Sequence, residues 1–413
     1  MPAFIIPIIY TILFGLIIFK SKTLAKGLNK KWMTLAFFLK VIAGCTNLAI
    51  WMFIIGRGDS LNYLHDAELI YGTLFENPSH FFQLTFGWGP DNVYPEHLRY
   101  ISDPLKYSWN NIEYSMVRLN TILYVFTFGN PWANIVILDF IYFLGSVWLY
   151  KLLIARAAHL RKAFFVLLFC FPSLLLWSSG LLKEGPALLF IQLIIGTFLL
   201  IEDQKSFKSI WNLLLALAGL LVVRDYFALI LIMLMPLWWI SYKFEIKGWK
   251  VFGIAAIFGM ISIVLVDYYS YAFTVSEIIC EAQQFFIIYG SDPDYNFYIF
   301  SGYELLEPIQ QFPYALNNIF FRPNLLHSSD MFRIYISVEL MVTWFLIGLV
   351  VYKQRNKRFP PFFWLLLSFS SITLLLYGYV VTDADTLSRY RSIPVFVMLL
   401  ISIYPKKMPN QTI

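Results

Sequence analysis

Eleven apolar runs constrain this chain more than any other feature. They cover residues 3–19, 33–55, 132–154, 163–179, 185–201, 209–223, 226–242, 250–266, 334–352, 360–381 and 393–405. About 20 residues at ~1.5 Å rise each cross a hydrocarbon core, and in lipid every backbone polar group must be satisfied internally. The runs therefore read as membrane helices. With 59% hydrophobic residues, 14% charged residues and a mean hydropathy of +0.66, no water-soluble fold accommodates the chain. Aromatic residues reach 19% and gather near the ends of the runs, as interfacial belts require. The expected fold is an all-α integral membrane protein with about eleven transmembrane helices, forming a single multi-pass domain over 1–413.

Residues 1–20 lack the basic start and the small-residue cleavage site of a secretory signal, so they read as a retained first helix. The three cysteines, Cys45, Cys170 and Cys280, are far apart in sequence and suggest neither a disulfide framework nor a zinc site.

The basic residues alternate with the runs. Lys20, Lys22, Lys26, Lys30 and Lys31 follow the first run. Lys151, Arg156, Arg161 and Lys162 follow the third. Lys205 and Lys208 follow the fifth, and Lys243, Lys247 and Lys250 the seventh. Lys353, Arg355, Lys357 and Arg358 follow the ninth, and Lys406 and Lys407 the last. Together these are 20 of the 31 lysines and arginines, all assigned to one face. The positive-inside rule makes that face cytoplasmic, with the N-terminus outside and the C-terminus inside an inner membrane. Topology thus accounts for the net charge of +6, and no nucleic-acid partner is implied.

The opposite face receives two long extracytoplasmic segments, 56–131 and 267–333. It also receives short turns near Ser178–Glu184, Arg224–Asp225 and Thr382–Arg391. Within the first segment, residues 115–129 are apolar but short and interrupted by Arg118 and Asn120, which suggests an interfacial helix.

The segment Gly56–Glu68, GRGDSLNYLHDAE, carries the densest chemistry. If 60–75 is helical, Asp59, Asn62, Tyr63 and Asp66 share a face. Asp59 suits a general base, with Asp66 or Glu68 assisting it. Asp59 and Asp66 are the ligands if a divalent cation is held. The plainer reading is a helix cap at Asp59 or Ser60. Lys40 lies mid-run, and Asp139 is the acid at comparable depth. A buried structural pair is the favoured reading for them.

Lys183, Arg224, Arg322, Arg389 and Arg391 stand at outer helix ends or in the second segment. Lysine and arginine there bind phosphate, or else snorkel to the headgroups of membrane lipids.

Asp59, Tyr63 and Ala67 at helical spacing, followed by a long outer loop ending in a short helix, resemble the polytopic GT-C glycosyltransferases. Arg389–Pro394, RYRSIP, resembles the Arg-Tyr-x-x-Pro element of the protein-mannosyltransferase and aminoarabinose-transferase branch. Trp177–Glu184 (WSSGLLKE) and Phe320–Pro323 (FFRP) resemble segments of multi-pass proteins from Bacteroidetes polysaccharide loci. The resemblance implies a GT-C-like core. It also implies a sugar donor linked to polyprenyl phosphate, a glycan, lipid or protein acceptor, and a catalytic aspartate at Asp59. Asp66, Glu68 or Asp103 would stand for the family's second acid. The family pattern has Asp-Glu or Asp-x-Asp, whereas Asp59 is followed here by Ser60, and one extra helix precedes the catalytic loop. In this reading Tyr63, Lys183, Arg224, Arg322, Arg389 and Arg391 contact substrate or phosphate. The alternatives are a surface-polysaccharide polymerase or ligase relying on Arg322, and a transporter of lipid-linked glycan.

Overall fold

The computed structural model describes residues 2–22, 24, 28–87, 94–109, 111–204, 207–269, 274–290, 297–302, 306–325, 331–354 and 359–404. Lys26, Lys205, Arg355, Lys357, Arg358, Lys406 and Lys407, assigned above to the inner face, lie outside the described residues. All regular structure among the described residues is helical. Among the described residues, eight helices are long and apolar enough to span a membrane: 30–55, 131–156, 184–201, 225–243, 248–266, 331–353, 361–380 and 384–403. Phe4–Lys20 and Ser209–Val223 are apolar but shorter. The protein is thus an all-α, multi-pass membrane protein by helix length and composition. Its apolar outer surface fits that medium: along 248–266, Ile254, Ile257, Phe258, Met260 and Ile261 are all exposed.

Two of the expected runs take a different form. Residues 163–179 divide into Arg161–Phe169 and Pro172–Trp177, because Pro172 cannot donate the amide that would continue the first helix. The last helix begins at Ala384, so most of the expected outer turn, Thr382–Arg391, is helical. Asp383 explains this early start. Its carboxylate accepts the amides of Asp385 and Thr386 and caps the helix.

The chain forms two compact units, 1–228 and 229–413. In the first, helices Lys30–Ile50, Pro131–Arg156 and Glu184–Gln204 carry the membrane portion. Their entries are locally encoded. Asn29 accepts the amides of Lys31 and Trp32, and Asn130 accepts that of Ala133, two residues after Pro131 in the first helical turn. The segment 56–131 is more than a loop. It holds helices Asp59–Glu76, Pro78–Phe86, Arg99–Ser102 and Tyr114–Thr127, closed over their own apolar core of Tyr63, Ile70, Leu84, Leu98, Tyr114 and Val117. Burying several such side chains, at ~1.5–3 kcal/mol each, gives the segment a fixed shape.

The polar residues that interrupt Tyr114–Thr127 are internal ties. Asn134 donates to Asn120 Oδ1 at 3.1 Å and accepts from Thr127 at 2.6 Å, and Arg118 donates to the Gly87 carbonyl at 2.8 Å.

In the second unit, Val275–Gly290, Glu307–Gln310 and Phe312–Phe321 surround a small core of Ile279, Phe300, Ala315 and Tyr379.

Candidate active site

A π-helical turn, Trp51–Ile55, ends the second helix, and Gly56–Arg57–Gly58 redirects the chain into Asp59–Glu76. Gly58 is the N-cap, and its carbonyl receives the amides of Leu61 and Asn62. Neither Asp59 nor Ser60 is the cap, so that plainer reading gives way. Asp59 is the first helical residue, where a carboxylate is favoured by the helix dipole.

Gly58 has φ 137°, and a Cβ there would lie 2.6 Å from the Trp51 ring. Gly56 has φ 72° but open space around it. Gly58→Ala is therefore expected to cost about 1–3 kcal/mol and to misplace Asp59. Gly56→Ala should cost about 1–2 kcal/mol. Thermal unfolding of the two variants in detergent checks the order.

The face expected from spacing is real, and its four residues meet at Tyr107. The Tyr107 hydroxyl donates to Asp59 Oδ1 at 3.5 Å and accepts from Asn62 at 3.4 Å. Its ring centroid lies 5.4 Å from that of Tyr63. Its amide donates to Asp66 Oδ2 at 3.0 Å. Burial, reinforced by the Asp59 charge, pushes the Tyr107 phenol well above its ordinary value of 10.0. The hydroxyl therefore keeps its proton and can donate to Asp59 at neutral pH.

Asp66 is fully buried. It also accepts the Lys106 amide at 2.9 Å and sits 2.9 Å from His65 Nδ1. Its carboxylate is committed to shaping 106–107, which makes it a positioning residue for Tyr107. Tyr63 is wholly buried behind the Tyr107 ring, and Glu68 is exposed. Among the described residues, no three His, Cys, Asp or Glu side chains form a metal site. With Asp66 held by main-chain amides, the pair Asp59 and Asp66 does not fit a resident cation.

Lys183 is presented by a turn anchored from within the membrane. Lys40 Nζ donates to the Ser178 carbonyl at 2.9 Å and to Ser179 Oγ at 3.2 Å. Asp139 accepts the Gly180 amide at 2.9 Å. Lys40 and Asp139, expected to pair with each other, form no direct ion pair; they grip one turn from two sides instead. Gly44 lets this happen, since a Cβ there would meet Asp139 Oδ2 at 2.4 Å and the Gly180 nitrogen at 2.9 Å.

Lys183 pairs with Glu113 at 2.6 Å. Burial favours the neutral Glu113 carboxyl, but the Lys183 charge and hydrogen bond outweigh it and hold the group below 4.5. The pair's contribution to stability is full above the unfolded value and is lost as pH falls through the depressed folded one.

Arg224 is buried against Glu184 and donates to the Tyr226 hydroxyl. Lys183, Glu113, Arg224, Asp225, Tyr226 and Asn111 border a cavity of about 380 Å³. Two cations and two carboxylates around one cavity let an anion enter by exchange rather than by simple addition. Sequence reasoning missed Tyr107 and Glu113, and gave no role of its own to Glu184 at the end of the Ser178–Glu184 turn. Of these, only Glu184 lies beside a residue it singled out.

Within 229–413, Arg391 donates to the Arg322 carbonyl, so two of the expected arginines are tied across 69 residues. The Arg322 guanidinium lies 5.6 Å from the Tyr314 ring, and that of Arg389 lies 4.9 Å from Tyr390. Glu307, also unforeseen, is the hub of this unit. It accepts from Tyr298 at 2.8 Å, from the Ser301 amide at 2.9 Å, and from Ser276. Burial opposes its ionisation, but these donors outweigh it and hold the carboxyl below 4.5.

No protein-family model, curated protein or solved structure matches the chain.

Proposed function

We propose that the protein is a GT-C-type glycosyltransferase of the inner membrane, with its N-terminus outside and its C-terminus in the cytoplasm. It transfers a sugar from a polyprenyl-phosphate carrier to a glycan, lipid or protein acceptor on the extracytoplasmic face, in building the cell envelope. The observation that carries this reading is Asp59: an acid in the first turn of an outer-segment helix, not used as the cap, and held by a protonated tyrosine.

In the proposed reaction the acceptor hydroxyl gives its proton to Asp59 as its oxygen bonds to the anomeric carbon. The anomeric C–O bond to phosphate breaks, and the phosphate leaves with the electron pair. Lys183 and Arg224 border a cavity of suitable size and offset the charge developing on that phosphate. Glu113 yields Lys183 to the incoming phosphate and takes it back after release. Within the second unit, Arg322, Arg389 and Arg391 are a separate group of candidate phosphate-binding donors. No step is routed through a metal ion.

A polymerase or ligase is the rival reading, favoured by the tie between Arg391 and the Arg322 carbonyl. Transport is less well supported, because Lys40 and Asp139 are spent on the Ser178–Gly180 turn.

Binding of farnesyl phosphate to the full-length protein in nanodiscs tests the phosphate assignment. Lys183→Met is expected to weaken binding about tenfold, the loss of one charge-assisted contact. Unchanged affinity would remove Lys183 from the site.

A further inference from the structure

A second cavity, of about 390 Å³, opens on the same outer segment. Ser102, Asp103, Lys106, Tyr107, Ser108 and Asn111 line it, with Leu105 and Tyr94. It belongs to unit 1 and shares Asn111 with the Lys183–Arg224 cavity. Its size falls within the ~300–1,000 Å³ of small-molecule sites.

The lining has a definite chemistry. Asp103 and Lys106 cancel in charge, so the cavity selects neither anions nor cations. The hydroxyls of Ser102, Tyr107 and Ser108 and the Asn111 amide provide both donors and acceptors. Two tyrosines, Tyr94 and Tyr107, are among the lining residues and suit a ligand that also has an apolar side. The arrangement is rigid from behind: Asp66 holds the amides of Lys106 and Tyr107, and Tyr94 packs on Trp109 with ring centroids 4.5 Å apart. Such preorganisation lowers the ordering cost of binding. A neutral, hydroxyl-rich ring with C–H faces matches this lining.

We infer that the cavity at Ser102–Asn111 is a carbohydrate subsite that seats the acceptor sugar, with Tyr107 linking it to Asp59. Tyr107 is among the residues that line this cavity, and its hydroxyl meets Asp59. An acceptor hydroxyl placed beside Tyr107 therefore lies next to the proposed base. This assignment rests on the transferase reading for its role in the reaction, but not for sugar binding itself.

Saturation-transfer NMR on the full-length protein in nanodiscs tests it. The probes are methyl glycosides of hexoses, N-acetylhexosamines, 6-deoxyhexoses and hexuronic acids, with farnesyl phosphate titrated separately. At least one neutral glycoside is expected to receive saturation. The double variant Asp103→Ala/Ser108→Ala, at exposed or half-buried positions that leave the fold intact, should weaken that signal about fivefold or more, as expected for the loss of hydrogen bonds to hydroxyls. Lys183→Met should leave it unchanged. A response from no glycoside, or one that the double variant does not reduce, overturns the subsite. Farnesyl phosphate binding that depends on Lys183 would then keep the transferase reading alive without it. Glycoside binding that depends on Asp103, with no binding of farnesyl phosphate, would keep the subsite and remove the transferase reading.

Discussion

Asp59→Asn is expected to abolish the surface glycan made by the native host while leaving membrane insertion at its normal level. Asparagine has nearly the shape of aspartate and can still accept the Tyr107 hydroxyl through its carbonyl oxygen. What it cannot do is take a proton at neutral pH. Loss of general-base catalysis typically removes ~10²–10⁴ of rate, enough to eliminate product in cells. Tyr107→Phe separates the base from its support. It removes the hydroxyl 3.5 Å from Asp59 and keeps the ring packed on Tyr63. A smaller loss, about tenfold, is expected, because one hydrogen bond to a charged group is lost while the base remains. The assay needs two readouts on the same cells: glycan by blotting and protein by quantitative membrane fractionation. Normal glycan from Asp59→Asn at normal protein level would remove Asp59 as the base. The same assay with Arg322→Ala then becomes decisive, since loss of glycan there alone is what the polymerase or ligase reading requires.

The membrane portion was legible in the sequence because lipid enforces a simple rule. A helix must satisfy its own backbone over about 20 residues, and that leaves a long apolar run. The rule fails where a proline interrupts a run, as at Pro172, and where a helix extends past its apolar part, as at Ala384–Arg391. The shared face of Asp59, Asn62, Tyr63 and Asp66 was legible because helical spacing fixes it. What those residues face was not. Tyr107 lies 48 residues from Asp59, in an irregular stretch with no periodicity to read. The partners of Arg118 and Asn120 were hidden for a related reason. Polar residues in a short apolar helix suggest a wet surface, yet here they tie that helix to Gly87 and Asn134 inside the protein. The roles of Glu113 and Glu184 were hidden because a carboxylate's role depends on which cation the fold brings to it.

Arg224→Met is expected to destabilise the protein by about 3–5 kcal/mol, the cost of leaving one member of a buried ion pair without its partner. Arg224 and Glu184 are almost wholly buried, at 2% and 1% exposure, and lie 40 residues apart. The cost arises because Glu184 cannot turn to water once the guanidinium is gone. Glu184→Gln likewise leaves a buried charge, that of Arg224, without its counter-ion, although the amide oxygen still accepts from the guanidinium. The double variant Arg224→Met/Glu184→Met is the informative one. Buried pairs replaced by apolar residues of similar volume are often neutral in stability, so it should regain most of what Arg224→Met loses. Stability and function then part company. If Arg224 only braces Glu184, the double variant recovers activity with stability. If Arg224 also holds the leaving phosphate, the double variant folds normally, inserts normally and transfers no sugar. Unfolding in detergent alongside the glycan assay reads both. A double variant as unstable as Arg224→Met would show that the pair is not an isolated interaction and that Arg224 holds Tyr226 and the neighbouring helix start in other ways.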